Sequence, residues 1–236
     1  SLRCQRIQPI NGDPSARPHF EILLSVKDDH GKIVSPQDFI QATEWYRRMT
    51  AVDRWVVEKA FTWMAGHRET LEKINAITIN LSGQTLSDDS FIDFLLDQMT
   101  RTAVPPDKLC FEVTETVGVS NLSDAAGFIM EVKKTGCTFA LDDFGSGMSS
   151  YAYLKNLPID LIKIDGAFVK NIEHSSSDHA VVKSITEIGH FMNKKIVAEY
   201  VENDAILNLL REIGVDYAQG YAIAKPDLLD RLVVSN

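Results

Sequence analysis

The sequence predicts an α/β fold: a modified TIM (β/α)8 barrel whose first strand runs antiparallel to the others. Three observations predict it. From the second strand onward, short apolar runs alternate with segments of helical periodicity, the pattern of a largely parallel sheet covered by helices. Eight strand-like runs fit into 236 residues, which favours a closed barrel over an open doubly wound sheet. The link from Ile10 to His19 carries no helix, so the first two strands pair antiparallel.

The elements justify themselves in order. Arg3–Ile10 is a strand closed by Asn11-Gly12, and His19–Val26 is a second, followed by the turn Asp28-Asp29-His30-Gly31. Ser35-Pro36 supplies an N-cap and a first-turn proline for a helix through about Arg48. A longer helix starts at Thr50 to Asp53, with Val52, Trp55, Val56, Ala60 and Trp63 on one stripe, and fades at Gly66 or runs on to Lys73. Strands follow at Ala76–Leu81, Leu109–Thr114, Thr138 onward, Asp160–Asp165, Lys195–Val201 and Asp216–Ile223. Helices separate them at Asp88–Arg101, Leu122–Lys134, Asp178–Met192 and Asp204–Ile213, and a short terminal helix follows Pro226.

With 44% hydrophobic residues the chain supports one good core, and residues 1–236 read as a single domain. Because it starts at Ser1 without methionine, it is expected to be excised from a longer signalling protein. A net charge of −9 argues against extended nucleic acid, but not against a small anionic ligand, since bound cations reverse the local sign. No apolar run approaches the roughly 18 residues of a membrane span, and no signal peptide is evident. Cys4, Cys110 and Cys137 are too scattered for a disulfide framework or a zinc cluster, so a reducing cytoplasm is expected.

The chemistry lies late in the strands. Phe139-Ala140-Leu141 stops at Asp142-Asp143, and the strand through Lys163 and Asp165 alternates Ile162 and Ile164 with charge. Charge facing a sheet interior is costly unless paired or metal-bound. Taken alone, Asp-Asp before glycine also serves as turn chemistry and capping. Yet every strand after the first delivers such a group: Glu21, Asn80, Glu112, Asp142 with Asp143, Lys163, Glu199 and Gln219. In a (β/α)8 barrel these converge at one mouth. Carboxylates with an amide, and no clustered His or Cys, suit Mg2+ or Mn2+. Two cations about 3.5–4 Å apart are the usual apparatus for in-line attack on a phosphodiester. Lys163 can stabilise developing negative charge or orient the attacking water, and an ion pair with a neighbouring acid is compatible with both.

The chain resembles the EAL domain family of cyclic di-GMP phosphodiesterases. The resemblance runs from about Gln8 to Pro226. It rests on Gln8-Pro9-Ile10, Glu21-Ile22-Leu23, Asn80-Leu81-Ser82, Glu112-Val113-Thr114-Glu115, Asp142 through Gly147, Lys163-Ile164-Asp165, Ala198-Glu199 with Glu202, and Gln219-Gly220-Tyr221 before Lys225-Pro226. It implies hydrolysis of cyclic di-GMP to linear pGpG by two Mg2+ or Mn2+ ions. Glu21, Asn80, Glu112, Asp142, Asp143 and Glu199 would be the metal ligands, with Asp142 bridging and Glu199 acting directly or through water. It makes Lys163, Glu199, Gln219 and Glu21 catalytic, with Lys163 on the nucleophilic water. Gln8, Ser25, Asp165 and Glu202 would serve substrate binding, and Glu115 would anchor the loop Phe144–Ser150, with simple helix capping as the alternative. A homodimer is expected through the region after Asp143, where Met148, Tyr151 and Tyr153 suit an apolar face.

Two positions depart from the family pattern. Ile22 stands where Ala is usual, which affects packing alone. Ser25 stands where many active members carry Arg on a substrate phosphate, so weakened affinity is expected rather than a dead site. The alternative is a non-catalytic cyclic di-GMP receptor, and a third reading is an interaction domain with a vestigial mouth. The intact acids and the DDFGSG loop favour the enzyme. Trp45, Trp55 and Trp63 are expected in core or interface, and His174, His179 and His190 are expected to be solvated.

Overall fold

The computed structural model describes residues 1–13, 15–120, 122–145, 154–232 and 234. Eight strands close into a barrel: β1 (Leu2–Pro9), β2 (His19–Leu24), β3 (Ile77–Asn80), β4 (Leu109–Thr114), β5 (Thr138–Phe144), β6 (Leu161–Ile164), β7 (Lys195–Ala198) and β8 (Tyr217–Gln219). From β2 to β8 each strand pairs parallel with the next, and β1 lies antiparallel between β8 and β2. The reversed first strand follows from the helix-free link before His19. A two-residue strand, β9 (Asp227–Leu228), pairs with Arg3 and Cys4 where a terminal helix is expected from the sequence, and a single 3-10 turn, Leu229–Arg231, follows it.

The outer ring contains α1 (Pro36–Trp45), α2 (Met49–Gly66), α3 (Arg68–Lys73), α4 (Gly83–Leu86), α5 (Asp89–Thr102), α6 (Glu115–Ser120), α7 (Leu122–Lys133), α8 (Gly166–Val169), α9 (Ser176–Phe191) and α10 (Asp204–Ile213). Ser35, Asp88, Ser175 and Asn203 cap α1, α5, α9 and α10 by accepting backbone N–H bonds. The long second helix breaks at His67, whose N–H bonds Met64 O. The short helices α4, α6 and α8, of four to six residues, escape periodicity, which needs a longer window to register. Among the described residues no helix is long and apolar enough to cross a membrane.

Strand alternation sorts the core into two parts. Outward residues such as Phe20, Ile79, Phe111, Phe139 and Ile162 pack under the helices against Phe61, Met64, Phe91 and Ile129. Inward residues Ile7, Ala76, Cys110, Ala140, Leu161 and Val197 form a small buried plug, with Tyr217 against it. Two residues further along, the same inward faces become polar, and the plug is the floor on which the site rests. Trp63 joins the core, whereas Trp55 is 38% and Trp45 85% exposed, so neither belongs to it. His190 is exposed but also bonds Asp216 at 2.7 Å, which corrects its reading as merely solvated. Met148, Tyr151 and Tyr153 lie outside the described residues.

Candidate active site

Lys163 organises the mouth. It is 1% exposed, and its Nζ stands 3.2 Å from Glu21 Oε2, 3.1 Å from Glu112, 3.1 Å from Asp142 Oδ1 and 2.8 Å from Glu199 Oε1. These side chains come from five strands or strand ends, β2, β4, β5, β6 and the residue after β7. Glu21 Oε2 also accepts from Gln219 Nε2 at 2.7 Å, and Glu21 Oε1 accepts from Asn80 Nδ2 at 2.8 Å. Gln219 Nε2 reaches Gln5 Oε1 at 3.2 Å, and Gln5 donates to Ala224 O at 2.9 Å. The reversed β1 therefore contributes Gln5, a polar group that the forward strands alone did not lead one to expect.

Consecutive strand residues point to opposite faces, so Asp142 and Asp143 should diverge. They do not, because Asp143 adopts φ +53 and the β5–β6 register slips between Leu141 and Phe144. This bulge brings both carboxyls to the rim, as bulges beside active sites do. Asp142, Asp143 and Glu199 each offer an oxygen within 4.8 Å of the others. At the start of α6, Glu115 accepts from Gly145 N at 2.8 Å, tying down the chain just after the acidic pair.

Four carboxyls share one ammonium with Asp143 beside them, and their proton affinities spread apart. Burial would raise Glu21, but Lys163 and the amides of Gln219 and Asn80 hold it below the usual carboxylate range. Burial, then the charge of Glu21, pushes Glu112 well up. Burial lifts Glu199 to about 8 against the pull of Lys163. Burial and the neighbouring charge of Asp142 lift Asp143 to about 6. Burial alone would discharge Lys163, yet the surrounding acids raise it well above an ordinary lysine.

A cavity of about 480 Å3 opens over this cluster, lined among others by Gln5, Asp142, Glu199, Tyr200, Glu202 and Tyr221. The remaining expected site residues sit apart from it. Gln8 occupies the far half of β1, opposite Ala218 and on the outward face, and Gln5 takes the inward place nearer the mouth. Ser25 is buried and tied through its backbone to Ser1, and does not line the cavity. Asp165 accepts from Ala167 N at 2.7 Å as the cap of α8. Glu112 faces Lys163 beneath the rim, and Asn80 is exposed beside Glu21. Leu23, Tyr200 and Tyr221 line the cavity without having been singled out for it. Leu23 carries the signal of sharing parity with Glu21, and the tyrosines that of flanking Glu199 and Gln219.

The EAL domain family profile matches residues 6–226. The chain is 41% identical over 224 residues to cyclic di-GMP phosphodiesterase PdeB of Shewanella oneidensis, covering 94% of this chain and 26% of that protein. It is 36% identical over 232 residues to cyclic di-GMP phosphodiesterase PdeF of Escherichia coli K12, covering 98% and 30%. The chain thus spans about a quarter to a third of the length of these curated relatives. The solved PaMucR phosphodiesterase in complex with c-di-GMP superposes with a TM-score of 0.89 at 26% identity, covering 99% of this chain and 94% of that one. The FimX EAL domain from Pseudomonas aeruginosa bound to c-di-GMP gives 0.87 at 26%, covering 96% and 90%. Profile, relatives and fold agree: this chain belongs to the EAL domain family.

Proposed function

We propose that the barrel mouth hydrolyses cyclic di-GMP to linear pGpG, with two divalent cations, Mg2+ or Mn2+, as cofactors. The observation that carries the reading is the cluster itself: four carboxylates within 3.2 Å of the buried Lys163 ammonium, with Asp143 beside them. The names of PdeB and PdeF, and the ligand in the PaMucR and FimX structures, support the substrate.

The residues fit the cations. Asp142 Oδ1 lies near Lys163 without hydrogen-bonding geometry, and it and Gln219 Oε1 are buried acceptors with no donor among the described residues. One ammonium does not neutralise the carboxyls, and burial first, then repulsion between neighbouring acids, raises Glu112, Glu199 and Asp143. An all-oxygen donor set suits hard ions. Glu21, Asn80, Glu112, Asp142, Asp143 and Glu199 would hold them. When bound, such cations acidify water and stabilise charge on phosphoryl oxygens.

The chain's own groups do the rest. Lys163 keeps its proton and presents a fixed, desolvated positive charge to the oxygen on which charge develops. The Gln219 amide fixes Glu21 Oε2 and leaves its own Oε1 as an acceptor for water or substrate. Glu202 and Gln5 bound the cavity in which the substrate is oriented. We further propose a cytoplasmic location and a homodimer, the latter read from the sequence after Asp143 and checked by light scattering.

The test is incubation of the purified chain with cyclic di-GMP and Mg2+ or Mn2+, followed by chromatography. pGpG should accumulate, and Glu21→Gln should abolish it. Binding in Ca2+ with no pGpG in Mg2+ or Mn2+ would leave a receptor instead.

A further inference from the structure

None of the chemistry above uses Tyr200, yet its conformation is unusual. Its φ of +53 lies in the left-handed region, an outlier for a bulky side chain and one that persists at functional sites when neighbours enforce it. The enforcement is visible: Glu199 N donates to Ile164 O at 3.4 Å and Val201 N to Gln219 O at 3.0 Å. This turn lays the ring across Gly166, where an added Cβ would lie 2.1 Å from Tyr200 Cδ2. Lys170 Nζ stands 4.0 Å from the ring centroid. The ring is thus held by a bare backbone and a cation, and it remains 53% exposed.

Core packing does not explain this, since Tyr200 belongs to neither hydrophobic cluster. It lines the cavity immediately after the ligand Glu199, and the other aromatic lining residue, Tyr221, is likewise 63% exposed with Lys225 Nζ 5.5 Å from its ring. A pinned, wetted aromatic face beside a phosphate-directed cluster suits a planar base, which stacks on such rings without needing hydrogen-bond readout. Resting on the reading of cyclic di-GMP as substrate, we propose that Tyr200 is a specificity-determining residue on which one guanine base of the substrate stacks.

The test compares Tyr200→Phe and Tyr200→Gly with the unaltered chain. Glycine keeps the left-handed backbone without strain, so misfolding does not account for its effect. Two readouts are taken: KM and kcat in Mn2+, and cyclic di-GMP affinity by calorimetry in Ca2+. Tyr200→Gly should raise KM and Kd roughly tenfold, equivalent to about 1.4 kcal/mol, with kcat nearly unchanged. Tyr200→Phe should match the unaltered chain in both. An unchanged KM and Kd in Tyr200→Gly, or a fall in kcat alone, overturns the proposal and makes the ring a support for Glu199. If the unaltered chain neither binds nor hydrolyses cyclic di-GMP, the functional reading fails and this inference fails with it.

Discussion

Replacing Lys163 with methionine removes the cation that, among the described residues, touches Glu21, Glu112, Asp142 and Glu199, while nearly keeping its volume. At separations near 3 Å and an effective dielectric of 20, each contact is worth about 5 kcal/mol before desolvation is charged against it. Desolvation of a fully buried ammonium consumes most of that total, and the net cost of stripping one partner from a buried ion cluster is about 3–5 kcal/mol. For a chain of this size that lowers Tm by roughly 6–20 °C. Because added cations compete for the same negative charge, Mn2+ should recover more of the lost Tm in Lys163→Met than it adds to the unaltered chain. Turnover of cyclic di-GMP should fall by about 10²–10³, the usual loss for one preorganised donor. Calorimetric melts with and without Mn2+, paired with pGpG assays, measure all three. A variant that melts within about 2 °C of the parent and turns over within about threefold would refute the assignment of Lys163 as the organising charge.

Other expectations follow from the same geometry. Ser25→Arg supplies a charge two residues beyond the cavity-lining Leu23, just past the end of β2, and should lower KM about tenfold; an unchanged KM excludes a phosphate contact from this position. Asp53 Oδ2 accepts from Ser82 N, Ser82 Oγ and Thr85 Oγ1 at 2.6–2.9 Å, holding the turn just after Asn80. Asp53→Ala should cost about 3 kcal/mol in urea unfolding and weaken Mn2+ binding, and a neutral effect would show that this turn does not support the mouth. His19 is pushed down to about 4, by burial first and then by Lys108. Its folded form therefore stays neutral while the unfolded chain takes up a proton below about 6.5. The stability it protects is whole above about pH 6.5 and declines toward pH 4, by about 2 kcal/mol at pH 5. Unfolding curves at pH 7 and 5 should converge with those of His19→Gln, and parallel curves would contradict the shift.

Much of this was legible in the residues. The βα rhythm and the helix-free link before His19 carry the barrel and its reversed first strand, because strand periodicity and connection length are local properties. Glu21, Glu112, Asp142, Lys163, Glu199 and Gln219 all fall on inward strand parity, so their convergence follows once the barrel closes. What local pattern does not carry is tertiary. Gln8 entered through the family resemblance, whereas the mouth-facing residue of the reversed first strand is Gln5, nearer the chain start. The pairing of Asp142 with Asp143 at one rim depends on a bulge and a left-handed backbone that alternation excludes. Asp165 reads as a site residue by parity, yet the chain turns into α8 at that point and uses the carboxylate as a cap. Tyr200 was not singled out, since its orientation, like that of Asp143, is set by a positive φ.

The central claim is that oxygens from separate strands gather at Lys163 to hold divalent cations, and anomalous diffraction from crystals grown with Mn2+ tests it most directly. Anomalous peaks should lie within about 2.3 Å of carboxylate oxygens of Asp142 and Asp143, with Glu21, Glu112 and Glu199 grouped around them. A mouth without anomalous density at saturating Mn2+, with Lys163 still clasped by its four acids, would contradict the account.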